Sequence, residues 1–205
     1  MRARGTEGYA EIADRLVGQY ESRSFADVHK SILHLIPTAP CRVLDIGAGT
    51  GRDAAALAAM GHRVLAVEPT AEMRRHGQRL HPVPALEWID DSLPDLAHVH
   101  ARAERFDLVM MTAVWMHLDE PERRRGMDRV TGLLQPGGLL TLSLRHGPVP
   151  AGRRMFDVSS AETKTLGAAH GLQVLVDRDR PSVFGADGVW WSVLAFQAPV
   201  ASVQR

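Results

Sequence analysis

A short apolar run at residues 43–46 passes directly into Gly47, Gly49 and Gly51 and then into the alanine-rich stretch 54–60. No other part of the chain restricts its fold as much. The apolar run reads as a buried strand and the alanine-rich stretch as a helix. A strand that turns on glycines into a helix is how α/β proteins bring backbone N–H groups and a helix N-terminus against a ligand. Side chains at the turn would hold the backbone away from that ligand and forbid the torsions the turn needs. The alanine face of the helix lets it lie close on a sheet. A nucleotide-like ligand is the expectation.

The glycine spacing narrows the ligand. A dinucleotide fingerprint needs glycine at its first, third and sixth positions, and the sixth position counted from Gly47 is Arg52. The run Asp45-Ile46-Gly47-Ala48-Gly49-Thr50-Gly51 instead resembles the D-x-G-x-G-x-G motif of class I S-adenosylmethionine-dependent methyltransferases. The resemblance implies a loop of Asp45, Gly47, Ala48, Gly49 and Gly51 beneath the methionine portion of the cofactor. It also implies an acid in the first helical turn, Asp53, holding the methionine amino group.

A second strand, residues 63–68, ends in Glu68, 21 residues after Gly47. A carboxylate there accepts the protons of two ribose hydroxyls with its two oxygens, as acids do after nucleotide-binding glycine turns. Pro69 and Thr70 follow and open a helix, with Thr70 as N-cap. Met73 on that helix faces either the core or an adenine ring. A third strand, residues 85–89, runs into Asp90, Asp91 and Ser92. The resemblance places an acid here on the adenine amino group, Asp91 before Asp90, because a carboxylate accepts what an exocyclic amine donates. The fourth strand, residues 106–111, ends at Thr112, where the family brings the transferred methyl group. Leu134-Gln135-Pro136-Gly137-Gly138 ahead of an apolar strand, residues 139–144, is a second family-like feature.

The remaining elements complete the layout. Residues 6–36 form two helical pieces, the second capped by Ser24, which the resemblance makes a lid. Tyr9, Tyr20 and Phe25 there either touch ligand or pack the helices. Asp119 and Glu122 form a capping box around Pro121. Met127, Val130 and Leu134 mark the inward face of that helix, with Arg123, Arg124 and Arg125 on its solvated side. Ser159 and Glu162 cap another helix, and strands at residues 172–176 and 189–196 form an antiparallel pair. The fold expected is α/β: a seven-stranded, mostly parallel sheet with helices on both faces, the last strand antiparallel, and an N-terminal helical lid. One domain spans residues 1–205, with the lid in 1–40 and the Rossmann-like core in 41–197.

The composition agrees with one packed domain: 205 residues, 45% hydrophobic, with 24 basic residues balanced by 24 acidic ones. The balance gives no electrostatic reason for a nucleic-acid or membrane partner. The chain also lacks the Asn/Asp-Pro-Pro-Tyr signature of nucleic-acid base methylation. A single Cys41 excludes an internal disulfide and fits a reducing compartment. No apolar run reaches the ~20 residues of a membrane span, and the first residues lack the apolar stretch of a signal peptide. A cytoplasmic location follows as an expectation. His98 and His100 lack companion ligands, so no metal is expected.

The acceptor side is read from position. Arg145 and His146 stand at the tip of a central strand, and Arg153 lies in the proline- and glycine-rich loop that follows. Guanidinium groups pair carboxylate or phosphate in bidentate fashion, so a small anionic acceptor is suggested, with Tyr20 and Trp115 also lining its site. If a proton must be removed, His146 and His117 are the candidate bases, ahead of His29 and His34. The leading function is methyl transfer from S-adenosylmethionine to a small-molecule acceptor by in-line displacement. The alternatives are an NAD(P)-dependent oxidoreductase on a similar sheet and a non-catalytic S-adenosylmethionine-binding module.

Overall fold

The computed structural model describes residues 4–185 and 187–200. Its centre is one seven-stranded sheet in the order β3-β2-β1-β4-β5-β7-β6. The strands are β1 (Arg42–Ile46), β2 (Arg63–Val67), β3 (Leu86–Ile89), β4 (Phe106–Met111), β5 (Leu134–His146), β6 (Gln173–Pro181) and β7 (Trp190–Gln197). The first five run parallel, whereas β7 pairs antiparallel with both β5 and β6. The sheet class expected from the sequence is the one observed, with β7 inside the sheet and β6 at its edge.

Alternation along the strands builds a separate core on each face. Leu44, Ile46, Val109, Met111, Leu140 and Leu142 point to one face. There they meet α5 (Ala97–Ala101), α6 (Glu120–Gly132) and α7 (Ser160–Ala169). Val43, Val64, Leu108 and Met110 point to the other, against α2 (Phe25–His29) and α3 (Arg52–Ala59). Along the first half of the chain, α1 (Ala13–Glu21) and α4 (Ala71–Leu80) pack on each other through Ala13, Leu16 and Met73, a small third cluster.

The helix ends follow the side chains that satisfy them. Ser24 caps α2 and Asp119 caps α6, each in a reciprocal box with the third residue of its helix. Ser159 caps α7 through Glu162 N–H. Thr70 occupies the N-cap position of α4 but makes no side-chain cap; its own N–H is taken by Glu68 instead. Arg123 corrects the solvated-face expectation. It is buried, with Nε on Glu162 at 2.7 Å and Nη1 on the Leu118 carbonyl at 2.5 Å, tying α6 to α7. Three consecutive helical residues span about 200° of a helix circumference, so one of such a run turns inward. The helix ends before Leu134, and residues 134–138 already run as the irregular start of β5. Among the described residues, no helix is long and apolar enough to cross a membrane.

Candidate active site

The strand order reverses between β1 and β4, and open α/β sheets bind ligands at the C-terminal ends of strands around such a reversal. A cavity of about 470 Å³ opens there, roofed by the N-terminal segment and α1. The chain leaves β1 through Gly47 and Ala48, whose N–H groups both reach the Val67 carbonyl at 2.8 and 2.9 Å. Gly49, with a φ of +59°, faces the cavity between Tyr20 and Met73. Gly51 has another use. A Cβ there would lie 2.6 Å from the Trp88 ring, so this glycine lets β3 pack under the loop, and it does not line the cavity.

Four acids line the cavity: Asp45, Asp53, Glu68 and Asp91. Glu68 accepts Gly49 N–H at 2.9 Å with one oxygen and Thr70 N–H at 2.7 Å with the other. Burial raises its pKa, and those two amides pull against the shift. Asp91 is held in the same way by the N–H groups of Ser92 and Val99. Asp90 corrects the alternate assignment, since its exposed side chain pairs with Arg74 outside the cavity. For Asp53, burial works against the charge, but His29 at 2.7 Å and Arg52 at 2.8 Å outweigh it and hold the carboxyl below its ordinary range. Both oxygens of Asp53 are therefore engaged. Asp45, also buried, differs from all three in that its Oδ2 has no hydrogen-bond partner among the described residues. Burial first, then the neighbouring Asp53 charge, push its pKa well upward.

Pro69, Ser92 and Thr112, just beyond strand ends, also line the cavity, as does Met73 on α4. Met73 is buried in the third cluster, as the core reading expects, and also borders the cavity. After Thr112 the backbone turns through Ala113 at a φ of +61°, a region unfavourable to a side chain. Its N–H is received by Ser143 Oγ at 3.0 Å.

Tyr9, Tyr20, Arg145, Arg153 and His117 line the same space. His117 donates from Nδ1 to the Arg154 carbonyl at 2.7 Å, which leaves Nε2 to accept the Tyr9 hydroxyl at 3.1 Å. Burial lowers its pKa, so the neutral ring is favoured. Arg153 lies 3.3 Å above the Tyr9 ring centroid.

Two expected residues are elsewhere. His146 stacks on Trp190 at 3.7 Å and donates to Ser192 Oγ at 2.9 Å, away from the cavity. Successive strand residues point to opposite faces, so with Arg145 turned inward His146 cannot join it. Trp115 is fully buried in the larger core, because the chain after Val114 turns as a 3₁₀ helix and folds the indole under α6. Phe25 packs on His29 in the second core, and His34 is exposed. The cavity wall missing from the sequence reading comes from the β6–β7 hairpin: Arg180, Phe184 and Trp191. The hint was available, since a hairpin beside β5 has to end near Arg145. Among the described residues, no group of three or more His, Cys, Asp or Glu is placed to hold a metal ion.

Comparison with known proteins points one way. Residues 43–138, from β1 to the start of β5, match the model of the methyltransferase domain. Over that segment, just under half of its length, this chain is similar to methyltransferases. A demethylmenaquinone methyltransferase of Clavibacter sepedonicus is 34% identical over 124 residues, 60% of this chain and 49% of that protein. The chain thus spans about half the length of that relative. Among solved structures, the Burkholderia thailandensis 1,6-didemethyltoxoflavin-N1-methyltransferase, with 1,6-didemethyltoxoflavin and S-adenosylhomocysteine bound, has a TM-score of 0.66 at 22% identity. The alignment covers 97% of this chain and 92% of that one. Magnesium protoporphyrin IX methyltransferase from Synechocystis PCC 6803, with S-adenosylmethionine bound, has a TM-score of 0.67 at 16% identity, covering 93% and 84%. At these identities the likeness to the two structures is one of fold. The glycine turn, Glu68 and Asp91 all fall within the segment matched as a methyltransferase domain.

Proposed function

We propose that this protein transfers a methyl group from S-adenosylmethionine to a small-molecule acceptor. The observation that carries the reading is the unpartnered Oδ2 of Asp45, buried at the floor of a cavity that Gly49 leaves open. A buried carboxylate without a donor is costly, and an ammonium group is the donor an amino-acid moiety offers. The other acids suit the rest of that cofactor. Glu68, oriented by two backbone amides, retains lone pairs for ribose hydroxyls, and Asp91 does so for an adenine amino group. Met73 and the carbons of Tyr20 border the same space.

When bound, S-adenosylmethionine supplies a methyl group already activated by its sulfonium. What remains for the chain is to exclude water and to align the acceptor, and alignment of that kind is worth several kcal/mol of barrier, on the order of 7–11 in the best cases. The roof of Tyr9, Tyr20 and α1 excludes water. Tyr9, held by His117, presents its hydroxyl oxygen to the cavity as an acceptor for a substrate proton. The geometry gives a nicotinamide cofactor less support, because the position needed for its third glycine is Arg52, bonded to Asp53 and to the Tyr20 carbonyl.

Calorimetric titration tests the cofactor. S-adenosylhomocysteine should bind at micromolar concentration, and Asp45→Asn should weaken that binding about 10-fold or more. Binding of NAD with no response to S-adenosylhomocysteine would refute the proposal. Methyl transfer from labelled S-adenosylmethionine over a panel of small acids, amines and phenols separates an enzyme from a binding module.

A further inference from the structure

Part of the cavity wall carries arginines that, among the described residues, no acid answers. Arg145 on β5 is in register with Trp191 on β7, and Trp191 is in register with Arg180 on β6. Side chains directly opposite across antiparallel strands share a face of the sheet, and neighbouring strands lie about 4.8 Å apart. The two arginines therefore flank one indole in a row across three strands, and all three residues line the cavity. The Arg180 guanidinium lies 5.6 Å from the Trp191 ring. From the loop after β5, Arg153 adds a third guanidinium over Tyr9.

Among the described residues, none of the three is paired with a carboxylate. Arg145 reaches only the Gly147 carbonyl, at 3.5 Å, and Arg180 only the Pro181 carbonyl, at 3.2 Å. Nη1 of Arg153 and Nε of Arg180 are buried without any partner. Other arginines of the chain are well supplied: Arg52, Arg74, Arg102, Arg123 and Arg154 all meet acids. Burial already weighs against the charge on Arg145 and Arg180. None of the four acids that line the cavity pairs with these guanidiniums, which leaves their counter-charge to a ligand.

We propose that Arg145, Arg180 and Arg153, set around Trp191 and Tyr9, are the anion-binding part of the acceptor subsite, and that the acceptor is a planar ring bearing a carboxylate or phosphate. The proposal rests on the methyltransferase reading. The indole supplies a face for the ring, and the guanidinium forks supply two or more donors for the oxyanion.

The test is calorimetry on the full chain saturated with S-adenosylhomocysteine, using benzoate, phenyl phosphate and the uncharged benzamide as probes. At least one anion should bind about 10-fold or more tightly than benzamide, and whichever anion leads identifies the oxyanion. Arg153→Met and Arg180→Met should each cost about 10-fold of that affinity, with S-adenosylhomocysteine binding changed less than about 2-fold. Arg153→Lys and Arg180→Lys, which keep the charge and the packing, should restore part of it. Equal binding of benzamide and both anions overturns the proposal, as does no binding of any anion. Arginine variants that weaken S-adenosylhomocysteine as much as benzoate also overturn it, since the guanidiniums would then be holding the cofactor's own carboxylate. If S-adenosylhomocysteine fails to bind at all, the methyltransferase reading falls, and the same titrations without it still decide the anion site.

Discussion

The two ends of the cavity hold charge in opposite ways. At the tips of β1, β2 and β3 the acids are mostly anchored by the protein: Glu68 and Asp91 by backbone amides, Asp53 by His29 and Arg52. Across β5, β7 and β6 the arginines line the cavity, and among the described residues no acid pairs with them. The first end has most of its carboxylates positioned by the protein's own donors before any ligand arrives. The second keeps its charge unpaired among the described residues, at a cost in stability. Asp45 is the exception at the first end, an acid left as open as the arginines are.

Substitutions should break that contrast in a definite order. The largest effect is expected for Glu68→Ala, which strands the amides of Gly49 and Thr70. Unfolding free energy should fall by about 2–3 kcal/mol, read by chemical denaturation, and S-adenosylhomocysteine affinity should drop about 100-fold in calorimetry. Asp45→Asn should act with opposite signs. Cofactor affinity falls, yet the ligand-free protein gains about 1 kcal/mol because a buried charge is gone. The pH dependence gives the check. Burial raises the Asp45 pKa, so its contribution is fully present below the ordinary carboxylate value, ~3.9, and is lost as pH rises through the folded value. The gain from Asn should therefore shrink as melting is followed from pH 7 towards pH 4.

Smaller effects are expected at the other end. Arg180→Met should leave melting unchanged or raise stability by up to about 1 kcal/mol, since no ion pair is lost. A clear loss of stability would show that this guanidinium supports the fold. His146→Ala is expected to be the mildest, costing about 0.5–1 kcal/mol through its stack on Trp190 and altering kcat/KM for methyl transfer less than about 2-fold.

What was legible in the sequence was local. The strand, glycine turn and helix at residues 43–60 and the acids at the following strand tips depend on near neighbours, and Glu68 and Asp91 stand where that logic puts them. The failures are of two kinds. Some broke a periodicity that was in view: Arg145 and His146 are adjacent on a strand, and Arg123 to Arg125 are consecutive on a helix, so neither set can share one environment. The others depend on contacts between distant segments. Gly51 is a glycine because Trp88 lies against it, and Arg180 reaches the cavity through the register of β6 with β7. No local pattern encodes either contact.

The seat of α1 has a kinetic meaning. Three buried apolar residues, Ala13, Leu16 and Met73, join it to α4, with His76 on Asp14 at 2.9 Å and the Arg52 guanidinium on the Tyr20 carbonyl at 3.1 Å. This is a smaller hold than that of the sheet beneath, so the helix is expected among the parts that open locally before global unfolding. A cofactor touching Tyr20 from below would stiffen that cover, and so would an acceptor meeting Tyr9. If so, whichever molecule arrived first would leave less ordering for the second to do, and titrating each in the presence of the other should show tighter binding.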